Sequence, residues 1–500
     1  MFVVVVVFGS GTDYCLFITS RYKEEVFAVS GRDAADRPAR ERAMTLAWQA
    51  TAKAVTASAA TTICGLALMA LAVFRAFQKA GPSVAVALAV GCLASLTLAP
   101  AVLLLLGRAA FWPAASGGGG ESLTDRLWAR LARLVTSRPG LIAALVVVLL
   151  ALPAAQALRA HPTHNIFDEL SDHWSSVRGF RILERDYTPG TLGPATLLIQ
   201  SREPLHNDRG WQDLAGLSAA IAAHPLVAEV IHPARPLGNA GPTYKSPDDV
   251  PDTSLDAIER YFFSADRRAA RLEILFCRGP YTDAAVAAAR DLQDLARQWA
   301  ARSSARVEKV MLAGPSSTIA DIKDVAGRDF AVVTGAVLGA IYLILVVLLR
   351  RPVLSVILLL GTALSFATAL GAADLLFVHA LGQPGLDWKV KFFLLVLLVA
   401  VGVDYNIYVC TRIEEERRHR PLDDAVRTAL ARTGGIVSAC GVIVAGTFAS
   451  MVAGSLSLTV QLGFALTLGI LVDTFLIRPL LVPAAALMLA RFSERRRAAT

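Results

Sequence analysis

Charge is scarce in this 500-residue sequence: 18% of residues are Asp, Glu, Lys or Arg, against 55% hydrophobic, and the mean hydropathy is +0.52. A soluble chain of this length ordinarily carries about a quarter charged residues, which excludes a purely soluble globular protein. Six cysteines are too few and too scattered for a disulfide framework or a metal-ligand spacing. Cys15, Cys64, Cys92, Cys410 and Cys440 fall in apolar runs and Cys277 in a candidate strand, so all six read as small apolar core residues. His161 and His164 lack a further ligand at a convincing spacing, and neither a metal nor another cofactor is expected. No Gly-x-x-x-x-Gly-Lys-Ser/Thr loop occurs, so nothing suggests nucleotide hydrolysis by this chain. The net charge of +8 does not mark a nucleic-acid binder, because Lys and Arg sit mainly beside the ends of hydrophobic segments.

Long apolar runs dominate what is there. At 1.5 Å per residue, roughly 20 apolar residues cross a hydrocarbon core of about 30 Å. The first run is interrupted by Asp13 and Tyr14 and followed by Arg21, Tyr22 and Lys23. Without a charged n-region or a cleavage site, it reads as a membrane helix rather than a signal peptide. Crossings at 52–74 and 82–106 follow, with a turn expected at 78–82 and a flexible glycine linker at 117–120. Residues 123–135 interleave apolar positions with Arg126, Arg130 and Arg133, the pattern of an interfacial amphipathic helix. Further crossings are expected at 140–158, 330–349, 353–378, 390–410, 434–452 and 461–489. Basic clusters at 21–42, 126–138, 350–351, 412–420 and 491–497 all fall on one side of this layout, which makes that side cytoplasmic and gives about nine crossings.

The polar block 159–329 then lies outside. Candidate strands at 195–200, 228–232, 269–276 and 307–313 alternate with helical stretches at 211–223 and 284–301. Strand–helix–strand twice over is the ferredoxin-like split βαβ order. Trp174, Phe180, Tyr187 and Tyr261 are candidates to line a path for a hydrophobic molecule, with core packing the expected role of each.

An internal repeat carries the most information. Gly11-Thr12-Asp13-Tyr14 matches Gly402-Val403-Asp404-Tyr405 at a displacement of 391, and the match runs on through Phe17 and Tyr408, Arg21 and Arg412, and Glu24-Glu25 and Glu415-Glu416. Ser58 and Ser438 occupy similar places in the next helix of each copy. The copies share orientation, so the repeat is parallel, related by an axis along the membrane normal. The first copy holds three helices and the second six plus the polar block; a member truncated at its N-terminus is expected, with the missing half a candidate partner as a separate chain.

Chemistry concentrates on the duplicated acids. Asp13 and Asp404 lie about 16–20 Å into their helices, too deep for a short side chain to reach water. An ionised Asp there costs roughly 2.5–3.5 kcal/mol or more, so intramembrane acids are functional by default. Burial and a neighbouring carboxyl both favour the protonated form, so such a pair can load and release a proton. Tyr14 and Tyr405 can hydrogen-bond a carboxylate, and Gly11 and Gly402 permit close helix approach. The alternative is a set of polar contacts that holds two helices together without carrying protons. Asp473 and Arg478, five apart, are not expected to pair on a helix, and Asp473 reads as an accessory packing site. Ser58 and Ser438 could bond the acids or their own helix carbonyls. Asp374 is expected to be hydrated at the outer end of its helix, and Lys389 and Lys391 to anchor at the interface.

These motifs resemble the MMPL branch of the resistance–nodulation–division (RND) transporter superfamily. Gly-Thr-Asp-Tyr with Phe17 and Ser20-Arg21-Tyr22 is similar to the fourth membrane helix of that family. Asp387-Trp388-Lys389 leading to Val401-Gly402-Val403-Asp404-Tyr405-Asn406-Ile407 resembles the tenth, and Leu471-Val472-Asp473-Thr474-Phe475 with Arg478-Pro479 and Pro483 the last. The resemblance covers nearly the whole chain. It implies that Asp13, Tyr14, Asp404 and Tyr405 form a proton relay, with Gly11, Gly402, Ser58, Ser438 and Asp473 as packing or accessory residues. It also implies a porter domain that handles a lipid or other hydrophobic substrate, and a place in a bacterial inner membrane among membrane lipids.

The expected organisation is a partial first bundle (1–110), a cytoplasmic linker with its amphipathic helix (111–138), a helix opening the second repeat (139–158), an extracytoplasmic porter domain (159–329), a five-helix bundle (330–490) and a basic tail (491–500). Two other readings stand beside proton-driven export. One is a lipid-sensing or assembly scaffold. The other is an intramembrane aspartyl protease, which needs two facing acids but typically in distinct motifs rather than a duplicated one.

Overall fold

Apolar length decides which segments become membrane helices, and the computed structural model describes them over residues 2–28, 37–112, 123–303 and 307–498. The side chains of 2, 28, 108, 123–125, 403–408 and 493–498 are outside that description, as are residues 29–36 of the expected basic loop and the glycine linker 117–120. In chain order come α1 (Phe2–Ala28), α2 (Arg37–Ala67), α3 (Arg75–Leu106), α4 (Leu123–Ser137), α5 (Pro139–Ala157) and a two-residue strand β1 (Pro162–Thr163). Next are α6 (Ser175–Asp186), β2 (Ala195–Ser201), α7 (Asp208–Ala222), β3 (Val227–Ile231), α8 (Asp252–Phe262), β4 (Ala269–Phe276), α9 (Asp283–Arg302) and β5 (Val307–Ala313). The chain continues through α10 (Pro315–Leu349), α11 (Pro352–Asp374), β6 (Leu386–Asp387), α12 (Trp388–Arg417), α13 (Leu422–Ala449), α14 (Ser457–Val472) and α15 (Val482–Ala498). Two stretches are π-helical, Leu375–Ala380 and Asp473–Leu481.

Among the described residues, eight helical stretches are long and apolar enough to cross a membrane, Ser457–Phe492 counting as one. α12, a continuous 30-residue helix, occupies the place of the crossing expected at 390–410, the seventh of nine in the sequence-based layout. Contacts divide the chain into two units, Met1–Thr163 with Asp329–Thr500, and His164–Arg328.

In the membrane unit the repeat is visible in packing. Thr62 Oγ1 of α2 donates to the Ala400 carbonyl of α12 at 3.1 Å, and Gly65 faces Ala400. Gly9 of α1, the counterpart of Ala400 at the 391 displacement, faces Val444 and Thr447 of α13. Each copy's first helix therefore packs on the second helix of the other copy, through small residues that let backbones approach. The following turn is also duplicated: Gly81 sits against the Leu66 carbonyl and Met69, and Gly463 against the Phe448 carbonyl and Met451.

The turn expected at 78–82 lies instead at 72–74, and Pro82 is inside α3. The reason is a carboxylate cap. Asp329 of α10 accepts the N–H of Val73 at 2.9 Å and of Phe74 at 2.8 Å, satisfying donors that the break exposes. Gly81 is thereby a packing contact rather than a breaker. α4 differs from its expectation too: its apolar stripe meets protein, with Trp128 packed on Gly434 of α13, Ala132 and Val135 buried, and Arg427 donating to Thr136 Oγ1 at 2.9 Å.

The His164–Arg328 unit is an antiparallel sheet in the order β3-β4-β2-β5, the ferredoxin-like arrangement. Leu197, Ile199, Leu272 and Ile274 pack with Trp211 and Leu214 of α7 and Leu292 of α9 in one core. Asn207 and Thr282 cap α7 and α9 by accepting the N–H of Gly210 and Ala285. Cys277 lies just past β4 and is exposed. Trp174, Tyr187 and Tyr261 are also exposed rather than core. Tyr261 instead donates to Glu273 at 2.6 Å, which raises its phenol pKa, while Phe180 stacks on Phe167 at 3.8 Å.

Candidate functional site

α1 carries Asp13 and Tyr14 into the interior, where they are 3% and 1% exposed. The Cys440 thiol of α13 lies within hydrogen-bonding reach of the Asp13 carboxylate, and the Arg478 guanidinium also acts on Cys440. Asp13 thus faces the second copy of the repeat. Asp404 and Tyr405 are on α12, two and three residues past Gly402. Their side chains, and with them the expected Asp–Tyr cluster, lie outside the described residues.

Sequence reasoning missed the pair closest to this place. Asp473 and Arg478 are joined by a buried ion pair, with side chains 1% and 2% exposed. Five residues diverge on an α-helix, but this segment is π-helical, and its i→i+5 repeat stacks them on one face. Pro479 supplies the sequence signal: it lacks an N–H and clashes with the preceding turn of an α-helix, which a wider turn relieves. Arg478 Nη2 also donates to the Gly402 carbonyl at 3.2 Å, fixing the pair against α12 just before Asp404. A methyl group at Gly402 would lie 3.4 Å from both Asp473 Oδ2 and Thr362 Cγ2, so glycine lets the acid approach. Thr474 packs in the same way on Gly441 of α13.

Arg478 is the one arginine or lysine in the buried set among the described residues. Its burial is offset in part by Asp473 and by the Gly402 carbonyl. Asp13 is a second buried acid nearby. Among the described residues the cluster thus holds two buried acids and one buried cation.

The accessory expectations divide. Ser438 donates to its own helix at Gly434 O, 2.8 Å, whereas Ser58 is buried on α2. Gly11, unlike Gly402, has nothing within 4 Å of where a side chain would begin. Asp374 is not hydrated as expected. It is 2% exposed, accepts from Gln156 Nε2 at 2.8 Å and lies 3.5 Å from His379 Nδ1, which the first π-helical stretch brings onto its face. Lys389 pairs with Asp387 at 3.3 Å, and Lys391 lies over the Phe330 ring at 4.4 Å.

Comparison with known proteins places this arrangement. The chain is 33% identical over 485 residues to a membrane protein of Streptomyces coelicolor, covering 96% of this chain and 52% of that protein. It is 29% identical over 507 residues to the apo-petrobactin exporter of Bacillus anthracis, covering 98% and 62%. Against the transport protein MmpL6 of Mycobacterium tuberculosis identity is 30% over 286 residues, covering 56% and 72%. The chain spans 52% to 63% of the length of the first four of these curated relatives. The crystal structure of SecDF shares the fold, with a TM-score of 0.52 at 16% identity, over all of this chain and 55% of that one. The MMPL family model matches residues 1–142 and 200–500, and the chain belongs to the MMPL family.

Proposed function

We propose that this chain is the proton-coupled core of an RND-type transporter that exports a lipid or other hydrophobic substrate across a bacterial inner membrane. The observation that carries the reading is the buried cluster in which Asp13 of the first copy faces Cys440 of the second, while Arg478, which also acts on Cys440, is paired to Asp473. An ionised acid is costly at this depth, which supports a proton-binding role, and Asp404 follows by two residues the Gly402 carbonyl on which Arg478 docks. In this reading Asp13 and Asp404 bind and release the proton, Tyr14 and Tyr405 orient them, and Asp473 holds Arg478 as the fixed counter-charge.

Protonation removes charge from the interface between α1, α12 and α13, so the two copies can tilt against each other. Each charge moved through the field supplies about 2.3 kcal/mol per 100 mV. The basic loops support a cytoplasmic side opposite the His164–Arg328 unit, which in this reading is the porter domain. The chain spans little more than half the length of several relatives, so the activity belongs to the complete transporter. The name of the Bacillus anthracis relative supports export, and that of MmpL6 supports transport.

The test is reconstitution of the complete transporter in vesicles with a fluorescent acyl lipid. Movement should need an imposed proton gradient and be lost in Asp13→Asn and Asp404→Asn. Movement indifferent to the gradient and to both substitutions would leave the scaffold reading in its place.

A further inference from the structure

A cavity of about 520 Å³ opens inside the His164–Arg328 unit, between α7, β3 and the loop that follows β3. β3 is an edge strand of the four-stranded sheet, so no further strand fills the space beside it. Small residues line one part of the cavity: Ala215, Ala219 and Ala222 of α7, Ala228 and Val230 of β3, and Ala234. Polar side chains line the rest, and a tight turn positions two of them. The Arg235 N–H donates to the His232 carbonyl at 2.8 Å, and the His232 N–H to the Arg235 carbonyl at 3.3 Å. The Tyr244 N–H donates to the Ala234 carbonyl at 2.8 Å and ties the far end of the loop to this turn. His232 and Arg235 are thus held as neighbours in one wall.

Both side chains lack partners. His232 is 6% exposed and its shielded Nδ1 makes no hydrogen bond; the shielded Nε of Arg235 makes none either. Among the described residues Arg235 forms no ion pair. Buried polar groups are ordinarily matched, and a half-buried guanidinium with no acceptor beside it is an open place for an anion. The charge balance agrees. Arg235 and Lys245 stand against one acid of the lining, Glu229, whose carboxylate already accepts the Asn239 N–H. His232 adds no charge at neutral pH, because burial first and the Arg235 charge second lower its pKa to about 4. A neutral imidazole beside a guanidinium offers a hydrogen bond without a second cation, which suits a monoanion. α7 lines the cavity with residues 212–222, up to its C-terminal end, where exposed carbonyls disfavour a dianion such as phosphate. The guanidinium fork matches the two oxygens of a carboxylate, and the volume lies in the range of small-molecule sites.

We propose that this cavity binds a small organic monocarboxylate, with its carboxylate on Arg235 and His232 and its compact apolar body over the alanines of α7 and β3. The bound molecule bridges α7 to the loop after β3 and steadies that loop. The ligand differs in chemistry from the hydrophobic cargo proposed above, and its binding does not rest on the transport reading.

Benzoate is the probe and the full chain in detergent micelles is the target. Benzamide serves as the neutral isostere, and inorganic phosphate as an anion without an apolar body. Titration calorimetry should show saturable benzoate binding, and hydrogen exchange of residues 232–245 should slow when benzoate is present. Benzamide and phosphate should each bind about tenfold more weakly or worse, as loss of a charge-assisted pair or of the apolar contacts implies. Arg235→Gln, which removes the cation, and Ala219→Phe, which fills the apolar part, should each weaken benzoate by about the same factor. Arg297→Gln, which removes an exposed cation of α9 outside the cavity, should leave binding unchanged. Exchange of β4 without ligand, equal to that of the parent, reports that each variant is folded. An absence of saturable binding would leave only a water-filled crevice and overturn the proposal. Benzamide or phosphate binding as tightly as benzoate would overturn it too, as would benzoate binding that survives Arg235→Gln or Ala219→Phe.

Discussion

Replacing Arg478 with methionine keeps much of the side chain's bulk and removes the only buried arginine or lysine of the described residues. Asp473, 1% exposed, then loses the cation beside it. Removing one partner of a buried pair typically costs about 3–5 kcal/mol. Protonation sets a ceiling: neutralising an ordinary carboxyl at pH 7 takes about three pH units at 1.36 kcal/mol each, or about 4 kcal/mol. Arg478→Met should therefore destabilise the folded chain by about 3–4 kcal/mol at pH 7. The deficit should shrink by up to about 1.4 kcal/mol for each unit of acidification towards pH 5, because the proton that Asp473 needs becomes easier to supply. In Asp473→Asn/Arg478→Met both charges are absent, and stability should return to within about 1 kcal/mol of the parent. The assay is unfolding in detergent micelles for the four members of this cycle at pH 7 and pH 5. If the double variant is as unstable as Arg478→Met, or if that single variant shows no acid rescue, the buried ion pair is not what holds the π-helical segment to α12. Because the double variant should fold yet lack the counter-charge, the proposed transport should stay lost in it.

Two further predictions concern groups elsewhere. His232, 6% exposed at the end of β3, has its pKa lowered to about 4 by burial first and by the Arg235 charge second. The folded state therefore resists protonation that the unfolded chain accepts near 6.5. Its contribution is complete above about pH 6.5 and falls by up to about 3 kcal/mol as pH drops to about 4. Hydrogen exchange of β3 and α7 in the full chain should show that loss, and His232→Gln should flatten it; a parent already flat across this window would refute it. Asp329→Ala orphans two backbone donors and should cost about 3–5 kcal/mol in thermal unfolding, while Asp329→Asn, with one acceptor oxygen left, should cost about half. Equal losses in the two variants would show that the cap is not the source of the stability.

Much of the fold was legible because its signals are local. Alternation and apolar runs give β4 and β5 at their observed limits and the other two sheet strands to within a residue, since pattern and turn residues act over short stretches. The membrane helices follow from apolar length. The break before α3 was misplaced because its cause, Asp329, is more than two hundred residues away in sequence. The Asp473–Arg478 pair was missed because helical geometry was taken as uniform, although Pro479 marks the departure. Asp374 was expected in water because depth along a helix says nothing of which side faces a neighbour such as Gln156.

The sequence by itself determined the class of molecule, the ferredoxin-like order of the polar unit and the duplication of Asp-Tyr, because hydropathy and repetition are properties of the chain in one dimension. Only the tertiary structure decided which groups share an interior. It set Asp13 against Cys440 and Arg478 against Gly402. Those outcomes depend on how helices far apart in sequence press together, where a glycine or a widened turn changes by a few ångströms which side chains can meet.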